Sequence, residues 1–327
     1  MTIAPDDRRP GRTQTTGSLR LPLAMADFAR RGFRLDRPAE RAVLEGHAHA
    51  FLDGFNIAVR HWRDPPAALD TVPVLERGFA YEGAGMHAAV RDTLTGGRAR
   101  ALERLLDGPG DAYVHLVHVG YGWAFVPLRV PLPVPLAGTP LLRWLALDGA
   151  GFAETFFGGR IALRRRAAGR GRAGGPRAEQ RWAARTVGCG RALWFVESAH
   201  VPGVVDEIAM APAPARPHLW SGVGLACTYA GCAGTAEVAA LRAAAGPDRD
   251  HFLQGVMFGV TARSRSGAVP DHTRTIAREM LDATPQEVAR WTDDDAVGLT
   301  TRADVDAYDT WRARLRTTAT TRTDVAR

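Results

Sequence analysis

The sequence predicts an all-α fold of helical-hairpin repeats. Three observations carry that prediction: apolar residues recur at three- and four-residue spacings, strand-like alternation is scarce, and a short glycine phrase returns along the chain. The phrase reads DGFNIA from Asp53, EGAGMHA from Glu82, VGYGWA from Val119, DGAGFA from Asp148, VGCGRA from Val187, SGVGLA from Ser221 and QGVMFG from Gln254. First glycines step by 29, 37, 29, 39, 34 and 33 residues, and alternate phrases lie 66, 66, 68, 73 and 67 apart. The expected unit is therefore a pair of phrases with a period near 66 residues, stacked as an α/α stack or toroid. A glycine inside a helix costs roughly 1 kcal/mol relative to alanine. Its return at corresponding positions points to close helix packing, with a groove for an elongated apolar ligand as the sharper reading.

The elements follow in order. Residues 1–20 are polar and read as a flexible terminus. A helix starts near Arg37, with Pro38 in its first turn and Ala42, Val43, His47, Ala50, Phe51 and Phe55 on one face. The stretch ALERLLDGPG closes a helix at Gly108-Pro109, and Asp111 is a candidate cap for the next. Val114–Leu128 is apolar but carries His115 and His118, so it reads as a buried helix, followed by an extended, proline-spaced segment to Pro140. Thr139 caps a further helix with Pro140 at its first position. Between Arg160 and Arg185 nine arginines and several glycines mark an Arg/Gly-rich connector at 161–180, which separates repeat halves at 21–160 and 181–300. Short helices punctuated by Pro, Gly and Asp follow, and 301–327 reads as a polar tail.

Composition narrows the function classes. The 327 residues with 46% hydrophobic content fill a sizeable core. All 42 basic residues are arginine, and the formal charge of +7 favours acidic partners. Cys189, Cys227 and Cys232 form no CxxC pair and leave an odd count, so a reduced, cytoplasmic setting is expected and a cysteine metal site is not. The acidic, polar start offers no export signal. No nucleic-acid recognition motif accompanies the arginines, whereas docking to an acidic carrier protein or peripherally to a membrane suits them.

Candidate chemistry lies beside the glycines. Glu82, His118, Asp148, Glu154 and Glu197 are the catalytic candidates, and Tyr121, Trp123, Trp144 and Trp220 the substrate-binding ones. Acids set among aromatics in an apolar cavity hold their protons to higher pH and can donate them. Each also has a plain reading, as a helix cap for the acids and as core for the tryptophans and His118. GxSxG, HExxH and P-loop signatures are absent, so no metal is predicted and no cofactor assigned. Gly83–Ala88 matches dinucleotide-binding glycine spacing but follows no strand. Asp293-Asp294-Asp295 lacks the spacing of a terpene-cyclase motif and reads as a helix end.

Several longer phrases carry a resemblance. GFAYEGAGM (Gly78–Met86), HVGYGWAF (His118–Phe125), LLRWLALDGAGFAETFF (Leu141–Phe157), GRALWFVESAHV (Gly190–Val201) and HLWSGVGLACTYAG (His218–Gly231) resemble the UnbL-type proteins of actinobacterial enediyne gene cassettes, over roughly residues 20–300. The resemblance implies a place in enediyne polyketide biosynthesis, on an apolar linear polyene, beside a polyketide synthase carrier domain and UnbV- and UnbU-type cassette proteins. It supplies no catalytic residues. Two alternatives stand beside it: a non-catalytic helical scaffold for biosynthetic partners, and a noncanonical polyene or terpene cyclase.

Overall fold

The computed structural model describes residues 19–128, 138–169 and 175–325. Among them there is no strand, and the fold is all-α. After a 3-10 turn at Leu23–Ala26, the helices run α1 (Phe28–Arg31), α2 (Pro38–His61), α3 (Pro65–Leu69), α4 (Arg77–Leu94), α5 (Ala101–Leu106), α6 (Val114–Trp123), α7 (Phe125–Leu128) and α8 (Leu145–Ala167). They continue as α9 (Pro176–Val196), α10 (Val201–Met210), α11 (Arg216–Ala230), α12 (Thr235–Ala245), α13 (Arg249–Arg265), α14 (Asp271–Leu281), α15 (Pro285–Ala296) and α16 (Val305–Val325).

One glycine phrase falls on each of α2, α4, α6, α8, α9, α11 and α13, and each of these helices packs on the next. The recurring element is thus a single helix, and the structure does not establish a paired period of 66 residues.

The phrase builds every interface in the same way. A Cβ on Gly54 would strike the carbonyl of Ala80, and one on Gly83 that of Phe51. Gly85 abuts the carbonyl of Val117 and Gly120 that of Glu82, while Gly122 abuts Ala146 and Gly149 abuts Val119. The pattern continues with Gly151 on Arg185, Gly188 on Asp148, Gly190 on Leu219, Gly222 on Val187, Gly224 on Phe252 and Gly255 on Ser221. Each glycine meets the carbonyl three residues before its partner glycine, a reciprocal pairing that only antiparallel neighbours can make. In each G-x-G the two glycines lie about 200° apart around the axis, so one faces the preceding helix and the other the following helix.

The row of helices curls on itself. The last carbonyls of a helix have no partner within it, and those at the end of α11 are taken by side chains of four other helices. Thr273 Oγ1 donates to Thr228 O at 2.8 Å, Arg263 Nε to Tyr229 O at 3.0 Å and Trp194 Nε1 to Gly231 O at 3.0 Å. His47 Nε2 of α2 reaches Ala230 O at 3.1 Å, which ties the first long helix to the sixth.

Three expectations are corrected. Residues 161–167 continue α8 and 176–180 begin α9, so this part of the expected connector is helical. Its arginines find acids: Arg166 and Arg185 both pair with Glu154 at 2.6 Å, and Arg164 pairs with Glu207 at 2.8 Å. The expected boundary between halves therefore falls at a helix pair packed backbone to backbone. The tail is no tail, because α16 buries Tyr308, Trp311, Arg312 and Leu315 and packs on α13 and α9. Thr139 and Asp111 do not cap helices: α8 starts after Trp144 and α6 after Tyr113, neither with a side-chain cap. Asp293–Asp295 do lie in the last turns of α15. Residues 1–18 and 129–137, including most of the proline-spaced segment, lie outside the described residues.

Candidate functional site

The curl encloses a cavity between α2 and α4 on one side and α8, α9 and α11 on the other. Its volume is ≈ 710 Å³ with its open mouth included. The glycine phrase also decides its lining. The residue after the second glycine is Met86, Trp123, Phe152, Arg191 or Leu225, and all five line the cavity. Four residues earlier, on the same helix face, stand Glu82, Val119, Asp148, Val187 and Ser221.

Aromatic rings make most of the wall. Trp123 lies 4.5 Å from Phe51 and 4.8 Å from Phe152, and Phe152 packs on Phe156 and Phe195. Phe79 stacks on His47 at 4.3 Å and meets Tyr229 edge-on at 5.2 Å. The buried end is polar. Arg191 Nη2 lies 3.3 Å from Glu82 Oε1, which also accepts from Trp123 Nε1 at 3.0 Å. Arg191 Nε is 2.9 Å from Asp148 Oδ1, yet the N–H is not aimed at that oxygen, so the contact is an ion pair without a formed hydrogen bond. Glu82, Asp148 and Arg191 are 4%, 3% and 6% exposed, so water screens none of them.

Burial governs their protonation. It raises the Glu82 carboxyl above the usual carboxylate range, against the pull of Arg191 and Trp123. Burial likewise pushes Asp148 up to about 6, with the Arg191 guanidinium opposing and the Glu82 carboxylate adding. Two carboxyls thus share one guanidinium where a neutral acid is accessible. The Tyr229 hydroxyl, also on the wall, is buried without a hydrogen-bond partner.

Of the sequence candidates, Glu82, Asp148 and Trp123 meet here and the others do not. His118 is fully buried near Arg143, away from the cavity, with both ring nitrogens unpartnered, and burial pushes it down to about 4. Glu154 is held by Arg166 and Arg185. Glu197 is held by Arg34 at 2.9 Å and by Arg160. Both acids are taken up by arginines, Glu197 while fully buried, so they are structural partners in the fold. Tyr121 packs on Phe125, Trp144 lies under Arg181, and Trp220 meets Phe252 edge-on, all in the core outside the cavity. Sequence reasoning missed Arg191, Phe152 and Tyr229. A signal for the first two existed, since they occupy the same phrase position as Trp123.

Among the described residues no group of three or more His, Cys, Asp or Glu could hold a metal ion, and no helix is long and apolar enough to cross a membrane. No curated protein and no solved structure matches the chain. A family model described as a protein of unknown function, DUF1702, matches residues 15–319, a span holding all seven glycine phrases and the whole cavity. The chain belongs to the DUF1702 family.

Proposed function

We propose that this protein takes an elongated, unsaturated apolar molecule into its central cavity and acts on it at the buried Glu82–Arg191–Asp148 group, as a step in processing a linear polyene towards an enediyne core. The observation that carries the reading is the join of an aromatic wall to a desolvated pair of carboxyls. Ligand sites combine such apolar lining with a few convergent polar groups, and a conjugated chain packs well on ring faces and edges. A carboxyl kept protonated by burial can give its proton to the end of that chain or hold a polar group there. The motif resemblance to UnbL-type proteins supports the polyene as the molecule and a polyketide synthase carrier domain, with UnbV- and UnbU-type proteins, as partners. Three unpaired cysteines support a cytoplasmic setting.

The test uses purified protein and the polyene released by the synthase. Binding should quench tryptophan emission, and incubation with the cassette proteins should change the polyene absorption spectrum. Glu82→Gln should keep binding and lose the change, whereas Phe152→Ala should weaken binding. If the wild-type protein neither binds nor changes the polyene, and deletion of its gene leaves core formation intact, the reading fails.

A further inference from the structure

Arg31 lines the same cavity as Glu82 and Arg191, but it is only partly buried where they are buried, which places it towards the mouth. Its side chain is pinned in two ways. Nε donates to Met25 O at 2.7 Å, and the guanidinium carbon lies 4.8 and 4.9 Å from the ring centres of Phe156 and Phe157. Those contacts use one of its five N–H donors and leave four on Nη1 and Nη2. No carboxylate forms an ion pair with it among the described residues, although Arg30 and Arg34 on either side both have one. Burial alone perturbs the group, downward, with no neighbouring acid to offset it. An ordered, partly desolvated guanidinium without a counter-ion has a standing affinity for an anion.

We propose that Arg31 binds the carboxylate head of an amphipathic ligand whose apolar chain runs inward past Phe156, Phe152 and Trp123 towards Glu82. This rests on the cavity reading above and adds to it the ligand's class and direction: a long-chain carboxylic acid, charged end outward. A single guanidinium matches a singly charged head, and among the described residues the other guanidinium on the lining is that of the buried Arg191. The inner end suits the uncharged end of the chain, because Glu82 and Asp148 already form ion pairs with Arg191.

Fluorescence titration with cis-parinaric acid, a conjugated long-chain acid, and with its methyl ester tests the assignment on the full chain. The acid should bind at least about tenfold more tightly than the ester, which corresponds to about 1.4 kcal/mol. Arg31→Gln should abolish that preference and leave ester affinity unchanged, and Arg31→Lys should restore part of it. Raising the salt concentration should weaken acid binding and not ester binding. Equal binding of acid and ester by the wild type, untouched by Arg31→Gln, overturns the head-group assignment and leaves the cavity reading standing. Binding of neither probe overturns both.

Discussion

Replacing Gly120 with alanine tests whether the glycine phrase sets the spacing of the helices. The added Cβ would lie 1.8 Å from the carbonyl oxygen of Glu82 and 2.6 Å from its carbon. Both atoms are backbone, so no side chain can rotate away. Real Cβ atoms essentially never approach closer than 3.0 Å, and α4 and α6 must therefore part by more than about 1 Å. Alanine returns roughly 1 kcal/mol of helix propensity, while overpacking a close-packed interior costs about 1–3 kcal/mol or more. With two rigid backbones the upper end applies, and a net loss of about 2 kcal/mol is expected, which for a chain of 327 residues is a fall in Tm of roughly 3 °C. The control is Gly46, inside α2, where an added Cβ meets nothing within 4 Å. Gly46→Ala should raise stability by up to about 1 kcal/mol. Thermal unfolding followed by far-UV circular dichroism measures both. Equal or higher Tm for Gly120→Ala would refute the reciprocal glycine–carbonyl packing as the determinant of the fold.

Arg191→Met removes the one cation that, among the described residues, pairs with Glu82 and Asp148, and breaking such a buried group costs about 3–5 kcal/mol. Without the guanidinium both carboxyls hold protons to higher pH, so the loss in urea unfolding should be large near about pH 8 and shrink towards about pH 5; a pH-independent loss would contradict the charge argument. Asp148 in the wild type titrates at about 6 against an ordinary 3.8. The folded state therefore binds the extra proton between those values. The stability this group contributes is present below about pH 4 and is lost as pH rises through about 6, by on the order of 3 kcal/mol. Asp148→Asn should flatten that slope, and an unchanged slope would assign the pH dependence elsewhere. Burial pushes the thiols of Cys189, Cys227 and Cys232 up to about 12. Iodoacetamide at neutral pH should label none of the three in native protein and all three after denaturation, as read by mass spectrometry.

The sequence by itself determined the helical class, the seven positions where helices meet and the acids beside them. These are local: a glycine at i and i+2 presents bare backbone on opposite sides of any helix that contains it, and the residue one step further must face away from both neighbours. The sequence marked Glu82, Asp148 and Trp123 only as residues beside the glycines; the same phrase position would have marked Arg191 too, had it been compared with that of Trp123. The tertiary structure decided the rest. That the row curls until α4 faces α9 and α11 depends on Arg263, His47, Trp194 and Thr273 converging on the end of α11, contacts between residues far apart in sequence that no spacing reveals. The same closure pairs Glu154 and Glu197 with arginines and leaves His118 buried away from the cavity. It also turns an arginine-rich stretch into paired helix, because an acid at Glu154 or Glu207 becomes a partner only once α8, α9 and α10 are side by side. A glycine fixes how close two helices come, but only the closure of the whole row fixes what faces what across the space between them.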